Sequence, residues 1–259
     1  MPELNCEKIA SHIIDWLNTY IEDIPVKGFV VGVSGGVDSA LVSSLVARTG
    51  KEVILLNMPI RQASSEYKRA QNQIKVLEDT YPNVRGLEVN LTSTFDAFTI
   101  SVPENSAENA LAMANSRARL RMTALYAVGQ ANQLLVTGTG NKIEDFGIGF
   151  FTKYGDGGVD LNPIGDLLKS EVFKLANHLG VIEEILKAKP TDGLWGDERN
   201  DEDQIGASYD ELEFVMNFNG EESELTERQK EVMAIYTHLH KINQHKMNPI
   251  PVCDLSGIK

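Results

Sequence analysis

Apolar residues Ile9, Ile13, Trp16, Leu17 and Tyr20 recur at helical spacing, so residues 3–20 are expected to form an amphipathic helix that closes near Pro25. Residues 28–33 (GFVVGV) break that period with a continuous apolar, β-branched run, the pattern of a strand buried on both faces. Helical spacing returns over 37–49, a second apolar strand follows over 52–58 (EVILLNM), then a helix over 65–80 and a short strand over 85–90. A polar connection around Pro103 leads into a long helix over about 107–132 and a fourth apolar strand over 134–137. This alternation predicts an α/β fold: a doubly wound, mostly parallel open sheet with helices on both faces and right-handed crossovers.

Residues 138–165 change character, with glycines at 138, 140, 147, 149, 155, 157, 158 and 165. Such density marks backbone kept free of side chains for tight turns or close approach of a ligand. Helical patterns resume over 169–179, 182–187 and 226–246. Between them residues 189–207 (KPTDGLWGDERNDEDQIGA) are too acidic and glycine-punctuated to pack, and are expected to form a mobile surface loop. No internal repeat or domain boundary is visible, so residues 1–259 are expected to be a single domain.

Charge narrows the partners. With 24 basic and 37 acidic residues the net charge is −13, which opposes sequence-independent binding to nucleic acid, because affinity for a phosphate backbone comes from lysine and arginine displacing counterions. Cys6 and Cys253 lie near opposite ends with no CxxC spacing, which argues against a disulfide scaffold, a zinc knuckle or a thiol relay. Neither a signal sequence nor a membrane-length apolar run is present, and a cytoplasmic location is expected.

The strongest chemical signal is Ser34-Gly35-Gly36-Val37-Asp38-Ser39, which follows a strand and opens a helix. Glycines let backbone N–H groups turn inward, two serines add hydroxyl donors, and the helix N-terminus adds partial positive charge, which together suit a phosphate chain. Asp38 would repel that chain unless a divalent cation lay between them, so it is assigned to magnesium. The loop has neither the GxxxxGK[ST] nor the GxGxxG pattern. It resembles the loop of the ATP pyrophosphatase superfamily, whose adenine nucleotide alpha hydrolase-like enzymes split ATP between the α and β phosphates. The resemblance makes Gly32, Val33, Ser34, Gly35, Gly36, Val37, Asp38 and Ser39 the ATP-binding loop.

Further segments narrow the family. Gly138 to Glu144 (GTGNKIE), Phe151 to Gly158 (FTKYGDGG), Asp160, Asn162-Pro163, Lys169, Pro190-Thr191 and His245-Lys246 together resemble ammonia-dependent NAD synthetase over essentially the whole chain. The resemblance implies ATP-dependent amidation of deamido-NAD with ammonia through an adenylated carboxylate, with release of AMP and pyrophosphate. It makes Thr139, Lys169 and Thr191 ATP contacts, Asp38 and Lys169 the catalytic pair, and Asp38 with Glu144 the magnesium ligands. Lys169 opens a helix, where a cation needs an anionic partner; in the family that partner is ATP phosphate. For deamido-NAD the resemblance selects Arg119, Lys153, Asp160, His245 and Lys246, while Arg117 and Arg121 share another helix face and are solvated or paired. Taken without the resemblance, Glu144 reads as a first-turn surface glutamate and His245-Lys246 as ordinary dipole partners of a helix C-terminus.

Two features depart from the family. The step from Glu144 to Lys153 is one residue longer than usual, and Asp145 adds a second acid there, which leaves Asp145 as an alternative magnesium ligand. Asn57 stands where an arginine is expected on the adenine side, and Arg61 and Gln62 are left open as adenosine contacts. The resemblance also implies a homodimer, and no glutaminase domain is expected. A transfer-RNA thiolase or lysidine synthase would call for a basic face, which the charge opposes. A regulatory nucleotide-binding module would have no use for the FTKYGDGG segment.

Overall fold

A computed structural model describes residues 4–191 and 200–258. The alternating half of the chain runs α1 (Cys6–Tyr20), β1 (Gly28–Gly32), α2 (Val37–Ala47), β2 (Glu52–Asn57), α3 (Ser64–Thr80) and β3 (Val84–Glu88). Three helices, α4 (Thr92–Ser101), α5 (Glu104–Ala107) and α6 (Ala110–Asn132), then lead to β4 (Leu134–Val136). The strands form one parallel sheet in the order β3-β2-β1-β4, with Gly32 paired to Leu56 and Val30 to both Ile54 and Val136. Because the order reverses direction at β1, the crevice beyond its carboxyl end is where an open sheet of this kind takes its ligand.

Alternation along the central strands divides two cores. Phe29, Val31 and Leu55 pack on one face against α1, α2, α3 and α7 (Lys169–His178), while Val30, Ile54, Leu56 and Val136 pack on the other against α6. All but Val136 of these seven are fully buried, and it is 1% exposed, as the unbroken apolar runs require. The connection around Pro103 holds more helix than its polar composition suggests. Phe95 in α4 is buried with Ile60 and Met113, and that contact anchors a helix of weak amphipathic pattern.

The glycine-rich stretch contains a wide π-helical turn, Lys142–Ile148, begun by Asn141, whose side chain accepts from the N–H groups of Ile143 and Glu144 at 3.1 Å each. Such a turn holds more residues than an α-helical one. After α7 come α8 (Glu183–Leu186), α9 (Asp201–Ile205), α10 (Tyr209–Asn217) and α11 (Glu227–Met247). Ile143 and Ile148 join Ile205, Tyr209, Leu212, Val215 and Val232 in a further core that seats the π-turn on α9, α10 and α11. The expected loop over 189–207 therefore ends in a short helix, capped by Asn200 accepting from Asp203 N at 2.9 Å, and its centre, 192–199, lies outside the described residues.

Candidate active site

The turn from β1 into α2 is built by its own hydroxyls. Ser34 N donates to Ser39 Oγ at 3.1 Å, Gly36 N to Ser34 Oγ at 3.2 Å, and Ser39 Oγ to Gly36 O at 3.0 Å. Gly36 occupies the N-cap and makes no side-chain cap, so the first N–H groups of α2 face outward for an anion. Gly35 has φ +91°, and a Cβ there would lie 2.5 Å from the carbonyl oxygen of Glu66. Gly35→Ala is accordingly expected to weaken ATP binding at least about tenfold, since left-handed backbone alone costs an L-residue roughly 1–2 kcal/mol before the clash with α3 is added. Titration calorimetry with ATP measures it.

Opposite this turn lies a closed charge cluster. Lys169, the first residue of α7, donates from Nζ to Asp38 Oδ2 at 2.7 Å and to Glu144 Oε1 at 2.8 Å, with its side chain only 4% exposed. Asn141 Nδ2 donates to the other oxygen of Asp38 at 3.0 Å. Tyr209 Oη donates to Glu144 Oε1 at 2.5 Å. Burial favours the neutral form of Glu144, but the Lys169 ammonium and the bonds from Lys169, Tyr209 and Asn141 outweigh it and hold this carboxyl below its usual range. For Asp38 burial prevails, and despite Lys169 its carboxyl is held above the usual value. Burial also opposes the Lys169 ammonium, and the two carboxylates more than offset it.

Asp145 is a different kind of acid. Burial, followed by the charges of Glu144, Asp156 and Asp38, pushes its carboxyl well above the ordinary range, and Asn162 Nδ2 donates to it at 3.1 Å. Gly140 leaves it space, because a Cβ at that position would sit 1.8 Å from Asp145 Oδ2. Glu144, not Asp145, is the acid that shares an ammonium with Asp38.

These groups line one cavity of about 570 Å³. Every loop residue expected to hold ATP except Gly35 borders it, as do Thr139, Glu144, Lys169 and Thr191. Of the five residues selected for deamido-NAD, Lys246 alone borders it. Lys246 Nζ donates to Gly149 O at 2.8 Å and Phe151 O at 3.0 Å, Lys153 Nζ donates to His245 O, and Arg119 Nε donates to Lys153 O at 3.3 Å. The end of α11, the 149–153 segment and α6 thus meet through four of those residues. Asp160 stands apart, accepting from Val136 N at 2.8 Å and from Tyr126 Oη at 3.0 Å, where it fixes the end of β4.

Further residues at the cavity were given no definite role by the sequence. Arg121 faces the cavity and pins the segment after β2 by donating to Met58 O at 3.1 Å and to Gln62 Oε1 at 3.2 Å, with burial, then Arg117, lowering its guanidinium to about 10. Arg117 stacks over Phe95, 5.5 Å from the ring centroid. Arg61 is drawn away to Asp96 at 2.6 Å, whereas Gln62 and the buried Asn57 border the cavity. Tyr209 carried one usable signal: Ser208 and Glu211 have the spacing of a capping box, which places Tyr209 at the first position of a helix.

With this geometry in place, comparison with known proteins decides the family. The NAD synthase family model matches residues 9–250. This chain belongs to the NAD synthase family. The NH(3)-dependent NAD(+) synthetase of Mesoplasma florum is 36% identical, over 95% of this chain and 96% of that one. That of Sulfurisphaera tokodaii is 33% identical, over 98% and 91%. Among solved structures, an NMN synthetase from Francisella tularensis superimposes with a TM-score of 0.86 at 29% identity, covering 97% of this chain and all of that one. An NH3-dependent NAD synthetase from Campylobacter jejuni does so with a TM-score of 0.78 at 27% identity, over 97% and 100%. Against that background the parallel sheet and the phosphate turn are the NAD synthase scaffold. The buried Asp38–Lys169–Glu144 cluster is its charged centre in this chain.

Proposed function

We propose that this chain uses ATP to convert the nicotinate carboxylate of deamido-NAD into the amide of NAD, taking the nitrogen from ammonia. The observation that carries this is the placement of Asp38, Glu144 and Lys169 at the mouth of the phosphate turn, where anionic oxygens need neutralising. A carboxylate does not react with ammonia until one of its oxygens is made a leaving group. In the first half-reaction a nicotinate oxygen bonds to the α-phosphorus and the bond to the bridging oxygen breaks, releasing pyrophosphate. In the second, ammonia adds at the carboxyl carbon, loses a proton and expels AMP.

Each residue has a part in this that needs no side-chain nucleophile. The N–H groups at the start of α2 bind phosphate oxygens, and Lys169 neutralises charge on the departing pyrophosphate. Thr139 and Thr191 border the same cavity and would contact ATP there. The donor chemistry of Asp38 and Glu144 fits magnesium: hard carboxylate oxygens, both half-buried and turned toward one cationic position. Among the described residues no group of three or more acidic, histidine or cysteine side chains is placed to cage a metal. Substrate phosphate oxygens and water would therefore complete the coordination, and the ion would supply charge neutralisation. Arg119, Lys153, His245 and Lys246 would take deamido-NAD on the α6–α11 side, with Asp160 at the end of β4. We infer a cytoplasmic homodimer that uses free ammonia. No described helix is long and apolar enough to cross a membrane.

A second acceptor is favoured by one observation, the TM-score of 0.86 to a protein named for making NMN. Purified chain is to be given ATP, magnesium and ammonium with either deamido-NAD or nicotinate mononucleotide, and AMP, pyrophosphate and amide measured. Equimolar NAD, AMP and pyrophosphate with a higher kcat/KM for the dinucleotide is the expected result. A higher value for the mononucleotide would reassign the acceptor, and ADP as product would remove the adenylation chemistry altogether.

A further inference from the structure

We propose that Tyr209 is a positioning residue that orients the Glu144 carboxylate toward the cation held with ATP. The inference rests on the assignment of Asp38 and Glu144 to that cation. Tyr209 is 6% exposed and belongs to the same core as Ile143 and Ile148, the apolar residues on either side of Glu144 in the π-turn. Its backbone N–H donates to Glu202 Oε1 at 2.8 Å, which ties α10 to α9. The ring is therefore fixed before its hydroxyl is considered.

That hydroxyl has one proton to give. Glu144 Oε1 lies 2.5 Å away and Asp201 Oδ2 3.3 Å away, so the shorter contact assigns the proton to Glu144. The same ring lies 4.9 Å from Lys169 Nζ, centroid to nitrogen, and so offers its π-face to the cation while its edge donates to the anion. Carboxyl torsions of glutamate are broad and nearly two-fold, so an unsupported carboxylate would present either oxygen in either plane. Here Oε1 receives both Lys169 and Tyr209. Oε2 is left clear of these two donors, in a defined direction. Outer hydrogen bonds of this kind orient metal-binding carboxylates, and their loss generally costs affinity.

Tyr209→Phe removes the hydroxyl and keeps the ring that fills the core. The probe is manganese with saturating ATP, its binding followed by electron paramagnetic resonance, alongside a thermal melt and the KM for deamido-NAD. The variant is expected to melt cooperatively and to keep that KM, while manganese affinity falls roughly 10–100-fold. Glu144→Gln and the double variant complete a cycle: acting through Glu144, Tyr209→Phe should add little once Glu144→Gln is present. Manganese binding by Tyr209→Phe equal to that of wild type overturns the proposal, as does a double variant whose losses simply add. Wild-type protein that binds ATP but recruits no manganese would instead defeat the metal assignment beneath it, a separate and recognisable failure.

Discussion

Asp38→Ala is expected to leave a folded enzyme that no longer releases pyrophosphate. Asp38 is the loop's only acid, it accepts from Asn141 at 3.0 Å and from Lys169 at 2.7 Å, and 18% of its side chain remains open to the cavity. Alanine removes the proposed cation ligand and one of the two carboxylates that seat Lys169 at once. The backbone of the phosphate turn, held by Ser34 and Ser39, is untouched. The loss therefore falls on charge stabilisation of the leaving pyrophosphate rather than on folding. A decrease in kcat/KM of at least about 10³-fold, or roughly 4 kcal/mol, is in line with removing one essential electrostatic group. Chromatographic measurement of AMP and pyrophosphate with saturating ATP and deamido-NAD reads it, and turnover within tenfold of wild type would take Asp38 out of the chemistry.

Much of the scaffold was legible because parallel strands buried on both faces must be nearly continuous apolar runs, and β1, β2 and β4 are. The phosphate turn was legible for a related reason: glycine, serine and a lone acid between a strand and a helix meet local requirements, satisfied within a few residues of sequence. Pairings between distant segments were not. Nothing local to Lys169 names Asp38, 131 positions earlier, as its partner. First position in a helix disfavours a cation, which announced the need for an anion but not its source. Arg121 shared a helix face with Arg117 and was indistinguishable from a solvated residue until Met58 and Gln62 were seen to fold over it. The π-turn was hidden because its reason is tertiary, namely Ile143 and Ile148 reaching a core supplied by α9, α10 and α11. His245 and Lys246 do lie in the last turn of α11, as a dipole argument alone would have them, yet Lys246 also reaches across to Gly149 and Phe151.

Lys169→Met separates catalytic from structural roles most sharply, because methionine keeps much of the side chain's length and loses its charge. If Lys169 neutralises phosphate as proposed, removing the ammonium is expected to lower kcat by about 10³-fold or more. Stability should change as well, and with a definite sign. In the wild type Lys169 binds its proton more tightly when folded, so its contribution is complete below the ordinary lysine pKa and is lost only as pH rises through the folded value, in the alkaline range. In the variant, Asp38 and Glu144 keep their burial and lose the cation that opposed it. Both carboxyls then move upward, the folded state binds more protons than the unfolded one above the usual carboxylate range, and stability falls as pH rises through that window. The variant's Tm is therefore expected to climb when pH is lowered from about 8 to about 5, where wild type, whose Glu144 stays ionised, changes less. Millimolar magnesium without nucleotide should raise the variant's Tm more than that of wild type, since a divalent cation then meets two carboxylates with no lysine between them. Differential scanning fluorimetry across pH and magnesium concentration tests both outcomes, and a variant whose pH profile parallels wild type would show that Lys169 does not neutralise this pair.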